Sequence, residues 1–156
     1  MSGRVVIPIS NERGELVAYA GRAIDNTEPK YKLPAGFHKS MELFNLHRVL
    51  ASNSQQDVVI IVEGFFDCLK VWQSGSLNVV ALMGSTLSEH QEKLLRPFKS
   101  IILFLDGDEA GREAAKAIAG RLVHSHFVKV ISLPEGKQPD RLSSEEIRSL
   151  LVKEMS

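Results

Sequence analysis

The sequence predicts an α/β fold: a parallel sheet flanked by helices, preceded by a small subdomain of one β-hairpin and a short helix. Three observations predict it. Unbroken apolar runs rich in Val and Ile recur after residue 57, the pattern of strands buried on both faces. Stretches with helical spacing separate them, so the order β-α-β-α-β-α-β-α implies right-handed crossovers. The first twenty residues instead carry two β-rich segments around a turn. A chain of 156 residues is long enough to bury a core without staples.

Residues 4–9 are β-branched and apolar, Asn11-Glu12-Arg13-Gly14 is a turn signal, and 15–20 read as the returning strand. Pro8, which cannot donate to a ladder, marks an edge strand. Gly21, Pro29, Pro34 and Gly36 punctuate 21–40 as loop. Met41, Leu43, Phe44, Leu46, Leu50 and Ala51 predict a short helix over 41–51. Asn53-Ser54-Gln55-Gln56 is a polar break, which divides the chain into 1–56 and 57–156. Beyond it, strands are expected at 58–62, 77–83, 100–105 and 127–132. Helices are expected at 65–73, from a Ser88/Gln91 capping box to about 96, at 108–122, and from Ser143 or Ser144 to the C-terminus.

Composition narrows the function classes. Apolar residues make up 44% and charged residues 24%, which disfavours disorder or a fibre. Nineteen basic residues balance nineteen acidic ones, so binding nucleic acid by bulk charge is disfavoured, though a local basic groove is not. One cysteine, Cys68, excludes an internal disulfide or a cysteine-cluster zinc site and suits a reducing cytoplasm; its helical setting suggests a packing role. No apolar run approaches a membrane span, and the N-terminus does not read as a signal peptide. Trp72 is expected in the core, His124 and His126 are too sparse for a metal site, and Arg112 suits either a phosphate contact or an exposed helix cation.

In open α/β sheets, ligands gather at the carboxyl ends of strands. Two expected strands end in acid: one runs into Glu63-Gly64-Phe65-Phe66-Asp67, the other into Asp106-Gly107-Asp108-Glu109-Ala110-Gly111. Parallel pairing should bring Glu63, Asp106 and Asp108 to one edge, with Asp67 a helical turn away. Either string alone also suits acids that cap or charge a helix N-terminus. Together they point to a cation, because crowded carboxylates repel unless neutralised. Hard oxygen donors without a Cys or His cluster select Mg²⁺ or Mn²⁺, which serve phosphate chemistry.

These residues resemble the Toprim domain shared by DnaG-type bacterial primases, topoisomerases and some nucleases, whose signature is a glutamate after one strand and Asp-X-Asp after another. The primase branch is the better match: Ala81-Leu82-Met83-Gly84-Ser85-Thr86-Leu87-Ser88, then Leu105 to Arg112, then Leu133-Pro134-Glu135-Gly136-Lys137-Gln138-Pro139-Asp140-Arg141-Leu142 look like its segments. Ile7-Pro8-Ile9, Gly14, Gly21-Arg22, Pro29-Lys30-Tyr31, Phe37-His38-Lys39 and Leu43-Phe44-Asn45-Leu46 follow the primase pattern before Toprim, so the resemblance covers nearly the whole chain. The third acidic motif departs from it: Gln138-Pro139-Asp140 stands where the family has Asp-Pro-Asp.

The resemblance implies a Toprim-like sheet over 57–156 behind a partial primase N-terminal subdomain over 1–56. It implies metal-dependent nucleotidyl transfer that makes RNA primers from nucleoside triphosphates on single-stranded DNA. Glu63, Asp106 and Asp108 would be catalytic and hold metal; Asp67 and Asp140 are further metal candidates. Arg22, Lys30, Tyr31 and Lys39 would line the nucleotide and template groove, with lysines on phosphates and the ring offering a stacking face. Residues 1–56, with seven basic and five acidic side chains, are the more positive part. The family's zinc-binding module, much of its N-terminal polymerase subdomain and its helicase-docking domain are not in this sequence. The chain is therefore expected to be a piece of a larger protein or a reduced relative that depends on partners. A Toprim nuclease and a non-catalytic nucleic-acid-binding remnant are the alternatives.

Overall fold

The computed structural model describes residues 3–52 and 57–155. The expected break at 53–56, and with it the boundary between 1–56 and 57–156, lies outside the described residues.

The N-terminal strands β1 (Arg4–Ser10) and β2 (Leu16–Ala23) form an antiparallel hairpin, joined on its far side by a two-residue strand β3 (Tyr31–Lys32). β1 is an edge, as Pro8 predicts. The loop expected over 21–40 is corrected at two places. β2 runs on to Ala23, and Arg22 pairs with Tyr31 in the ladder, which only the long-range partner makes possible. The helix expected over 41–51 is also shorter: a 3-10 turn spans Lys39–Met41 and α1 begins at Leu46. Phe44 instead exchanges two backbone hydrogen bonds with Ala81, and Asn45 takes a left-handed conformation (φ 73°) with its amide donating to the Val79 carbonyl. Those long-range bonds outweigh the local helical preference.

The second sheet is parallel, in the order β5 (Val79–Ala81), β4 (Val58–Val62), β6 (Ser100–Leu103), β7 (Phe127–Val130). Its crossovers carry α2 (Phe65–Gln73), α3 (Glu89–Leu94) and α4 (Glu109–Leu122), and α5 (Ser144–Met155) follows. Ser88 and Gln91 form the expected capping box, and Ser143 proves to be the cap of α5, accepting from the Glu146 N–H. Three strands are shorter than their apolar runs: Leu82, Met83, Phe104, Leu105 and Ile131 stay buried beyond the strand ends, whereas Leu77 and Ser132 are exposed.

The strands alternate between two cores. Ile60, Val62, Val79, Ala81, Ile102 and Phe104 face one side, which is covered by the hairpin residues Ile7, Ile9, Ala18 and Ala20 and by α2 and α5. Val59, Ile61, Val80, Leu82, Ile101 and Leu103 face the other, covered by α1 and α4. The hairpin thus shares a core with the parallel sheet. Trp72 is a correction: it is 43% exposed, because the buried stripe of α2 runs through Phe65, Cys68 and Val71 and leaves position 72 beside it. Cys68 packs in that stripe as expected.

The chain goes from β4 out to β5, then returns across β4 to β6. The direction of winding therefore reverses between β4 and β6, and a crevice opens at their carboxyl ends.

Candidate active site

Glu63 follows β4 and Asp106 follows β6, so the reversal point sets the two acids side by side; the Asp106 N–H donates to Glu63 Oε1 at 3.4 Å. A cleft of about 380 Å³ opens there. Glu63, Asp67, Asp106 and Asp140 line one part of it, with Gln138 between the loops, and Lys30, Tyr31 and Lys39 line the part contributed by the N-terminal segment. The side chains expected at one site from four separate stretches of sequence are in large measure gathered there.

Two of them stand differently. Asp108 is exposed and is not part of the cleft lining; its Oδ1 accepts the Gly111 N–H at 2.7 Å as the N-cap of α4. Its charge still reaches both Glu63 and Asp106. Arg22 lies behind the cleft, with its guanidinium over the Phe66 ring.

Asp67 is 7% exposed, and both its oxygens are engaged by backbone: Oδ1 accepts the Asp140 N–H at 3.0 Å and Oδ2 the Gly64 N–H at 3.2 Å. It therefore ties the start of α2 to the 3-10 turn Pro139–Arg141, which carries Asp140. A second tie joins the Asp106–Asp108 loop to the Pro134–Lys137 loop. Gly107 donates to the Lys137 carbonyl at 2.7 Å, its own carbonyl accepts from Gly136 at 3.0 Å, and Arg112 bridges the Gly107 carbonyl and Glu135. Arg112, open between two roles in the sequence, fastens loops. A Cβ on Gly107 would sit 2.3 Å from the Pro134 carbonyl oxygen, so only glycine permits this approach.

The electrostatics are strained. Burial pushes the Asp67 carboxyl up to about 7, and the charges of Asp106 and Asp140 add to it. Burial likewise pushes Asp106 up to about 7, helped by Glu63, Asp108 and Asp140, while Lys30 pulls it back. Glu63 is raised by burial, which the Asp106 N–H opposes. Asp106 Oδ1 and Asp140 Oδ1 are buried without a hydrogen-bond partner among the described residues, a cost of roughly 1–3 kcal/mol for each such atom. Among the described residues no three acid, Cys or His side chains are already drawn up as a metal cage.

Phe65 and Phe66 also line the cleft, and sequence reasoning passed over them. Their signal was their place inside the Glu63–Asp67 string, on the first turn of α2. Phe65 packs against Tyr31 (ring centroids 5.5 Å apart) and Phe44 (4.9 Å).

Residues 60–143 match the family described as Toprim-like, and residues 1–50 match the DNA primase catalytic core, N-terminal domain. A DNA primase of Pseudomonas aeruginosa is 37% identical over 152 residues, covering 92% of this chain and 23% of that protein. A DNA primase of Aquifex aeolicus is 37% identical, covering 95% of this chain and 32% of that protein. The crystal structure of the Aquifex aeolicus primase (zinc-binding and RNA polymerase domains) superposes with a TM-score of 0.84 at 36% identity, over 97% of this chain and 40% of that one. The DnaG primase catalytic domain bound to single-stranded DNA superposes with a TM-score of 0.83 at 28% identity, over 97% and 51%. The chain thus spans about a quarter to a third of the length of these curated relatives.

Proposed function

The chain belongs to the Toprim-like family, in its DnaG-type primase branch, and from that membership we propose that it carries the metal-dependent nucleotidyl-transfer site of a primase, joining ribonucleotides on a single-stranded DNA template. The observation that carries the reading is the pair of partnerless buried oxygens, Asp106 Oδ1 and Asp140 Oδ1, beside Glu63 and across the cleft from Lys30, Tyr31 and Lys39. Buried anionic oxygens without donors suit a cation, and an all-oxygen donor set suits Mg²⁺ or Mn²⁺. The residues therefore fit a divalent ion.

Glu63, Asp106 and Asp108 are the proposed catalytic and metal-holding acids, Asp108 from outside the cleft lining with one oxygen engaged as a helix cap, and Asp140 and the amide oxygen of Gln138 are further metal candidates inside it. Asp67, with both oxygens engaged, supports the site by holding Asp140. A bound divalent ion supplies charge neutralisation at the transferring phosphate, which together with positioning is most of what phosphoryl transfer requires. Glu63 is the proposed acceptor for the proton of an attacking hydroxyl, a role supported by its place on the cleft beside Asp106 and by burial, which raises its proton affinity. Lys30 and Lys39 offer point charges to phosphates and Tyr31 a ring to a base, with Arg22 behind them. We assign residues 57–156 to the Toprim domain and 1–56 to a partial polymerase subdomain, working in the cytoplasm. Its partners would be single-stranded DNA, nucleoside triphosphates, a zinc-binding module and a replicative helicase. Among the described residues no helix is long and apolar enough to cross a membrane.

Proximity supplies much of the rate when template, two nucleotides and metal must meet at once. Extension is therefore expected only when the zinc-binding module and the rest of the polymerase region are supplied. The test incubates the chain, alone and complemented, with Mn²⁺, labelled ribonucleotides and single-stranded DNA. Primer synthesis in the complemented reaction, abolished by Glu63→Gln, is the expected result. Shortened DNA would favour the nuclease reading, and DNA binding without either product the non-catalytic remnant, which the amide at Gln138 also favours.

A further inference from the structure

Arg22 is the one proposed cleft cation that is not part of the cleft lining. It is half-buried on β2, its guanidinium carbon 4.3 Å from the centroid of the Phe66 ring and 5.9 Å from that of Tyr31. Its Nη1 donates to the Ala23 carbonyl at 3.3 Å, and its buried Nε has no hydrogen-bond partner among the described residues. Phe66 and Tyr31 both line the cleft, and Tyr31 leans on Phe65. A planar cation against a ring face is attracted by the ring quadrupole, more strongly when desolvated, and it restrains the ring it covers.

We infer that Arg22 is a positioning residue that pins Phe66 and Tyr31 as an aromatic wall of the cleft, on which a nucleobase stacks, and that it contacts no phosphate itself. Phe66 thereby joins the binding surface. The inference rests on the nucleic-acid reading above for the base, while the pinning stands on the contacts alone.

Two measurements on the full chain separate these. Without nucleic acid, NMR should show Arg22 side-chain protons shifted upfield by the Phe66 ring; Phe66→Leu should abolish that shift, and Arg22→Lys should move the ring signals of Phe66 and Tyr31. Absence of these effects would overturn the pinning. With a single-stranded oligonucleotide, Arg22→Lys and Arg22→Gln should each weaken binding roughly three- to tenfold, from the lost cation–π and stacking contacts. The dependence of affinity on salt should stay that of the parent, because no phosphate contact is lost. Phe66→Leu should produce a similar loss that does not add to that of Arg22→Lys. A salt slope lowered by about one in Arg22→Gln, with Arg22→Lys binding like the parent, would make Arg22 a phosphate contact and overturn the proposal. If the parent chain does not bind the oligonucleotide, the nucleic-acid reading fails and so does the base-stacking half of the inference; the NMR shifts then decide the pinning.

Discussion

Replacing Asp106 by Asn should make the metal-free protein more stable at pH 8 and leave it nearly unchanged at pH 4. Burial and three neighbouring acids carry the Asp106 carboxyl from an ordinary 3.8 to about 7 in the fold. Well below 3.8 the group is neutral folded and unfolded, so it costs nothing, and at pH 4 the cost has only begun to appear. Between about 4 and 7 the unfolded chain releases the proton while the folded chain keeps it, so stability falls as pH rises through this window. Above 7 the penalty is constant. At ~1.4 kcal/mol per pH unit its upper bound is ~4 kcal/mol. Asp106 is only half-buried, and solvent screening reduces this to about 1–2 kcal/mol. For a chain of this size that corresponds to a rise in Tm of roughly 3–6 °C. The assay is thermal unfolding of parent and variant in EDTA from pH 4 to pH 8, repeated with Mg²⁺. Mg²⁺ should stabilise the parent and narrow the gap, because a ligand of the proposed metal site would bind the folded chain alone. Equal Tm values at pH 8 in EDTA, or a variant less stable there, would refute the electrostatic account of the cleft.

Lys30→Ala and Lys39→Ala should each lower the salt slope of single-stranded DNA binding by about one and leave Tm nearly unchanged, measured by fluorescence titration at several salt concentrations. Gly107→Ala should destabilise by ~2–4 kcal/mol in urea unfolding, because its methyl would meet the Pro134 carbonyl oxygen at 2.3 Å and force apart two loops joined by backbone hydrogen bonds. Asp67→Ala should strand the Gly64 and Asp140 N–H groups and cost ~1–3 kcal/mol at pH 5. At pH 8 it should cost less, because the same substitution then also removes an ionised carboxylate that burial disfavours.

What joins the N-terminal segment to the site is a set of non-local contacts. Lys39 reaches over Gly84, where a Cβ would lie 3.1 Å from its amine, and Gln91 of α3 donates to the carbonyls of Lys39 and Glu42. The Gln91 bonds, made to backbone carbonyls, hold the lysine loop against the parallel sheet and bring the basic and acidic residues to one cleft. That arrangement is the structural basis for proposing that the two segments act on one substrate.

The sequence by itself determined the elements whose signals are local. Val58–Val62 and Ser100–Leu103 announce buried strands because parallel strands covered on both faces need apolar side chains throughout. The caps at Ser88 and Asp108 announce helix starts because a side-chain oxygen must satisfy an orphan N–H within a few residues. Glu63 and Asp106 were legible as a pair because acids after two parallel strands must share an edge. Tertiary structure decided the rest, where the deciding partner is far along the chain. Phe44 forsakes a helix to bond Ala81, Arg22 and Tyr31 form a ladder across eight intervening residues, and Trp72 is exposed by the rotation of α2. The contacts inside the acid cluster were decided in the same way. Asp67 and Asp108 look alike in sequence, yet one is buried and bound to the Asp140 backbone, the other exposed as the cap of α4. A carboxylate's type and spacing are local properties; which donors reach its two oxygens depends on loops that only the folded chain brings beside it.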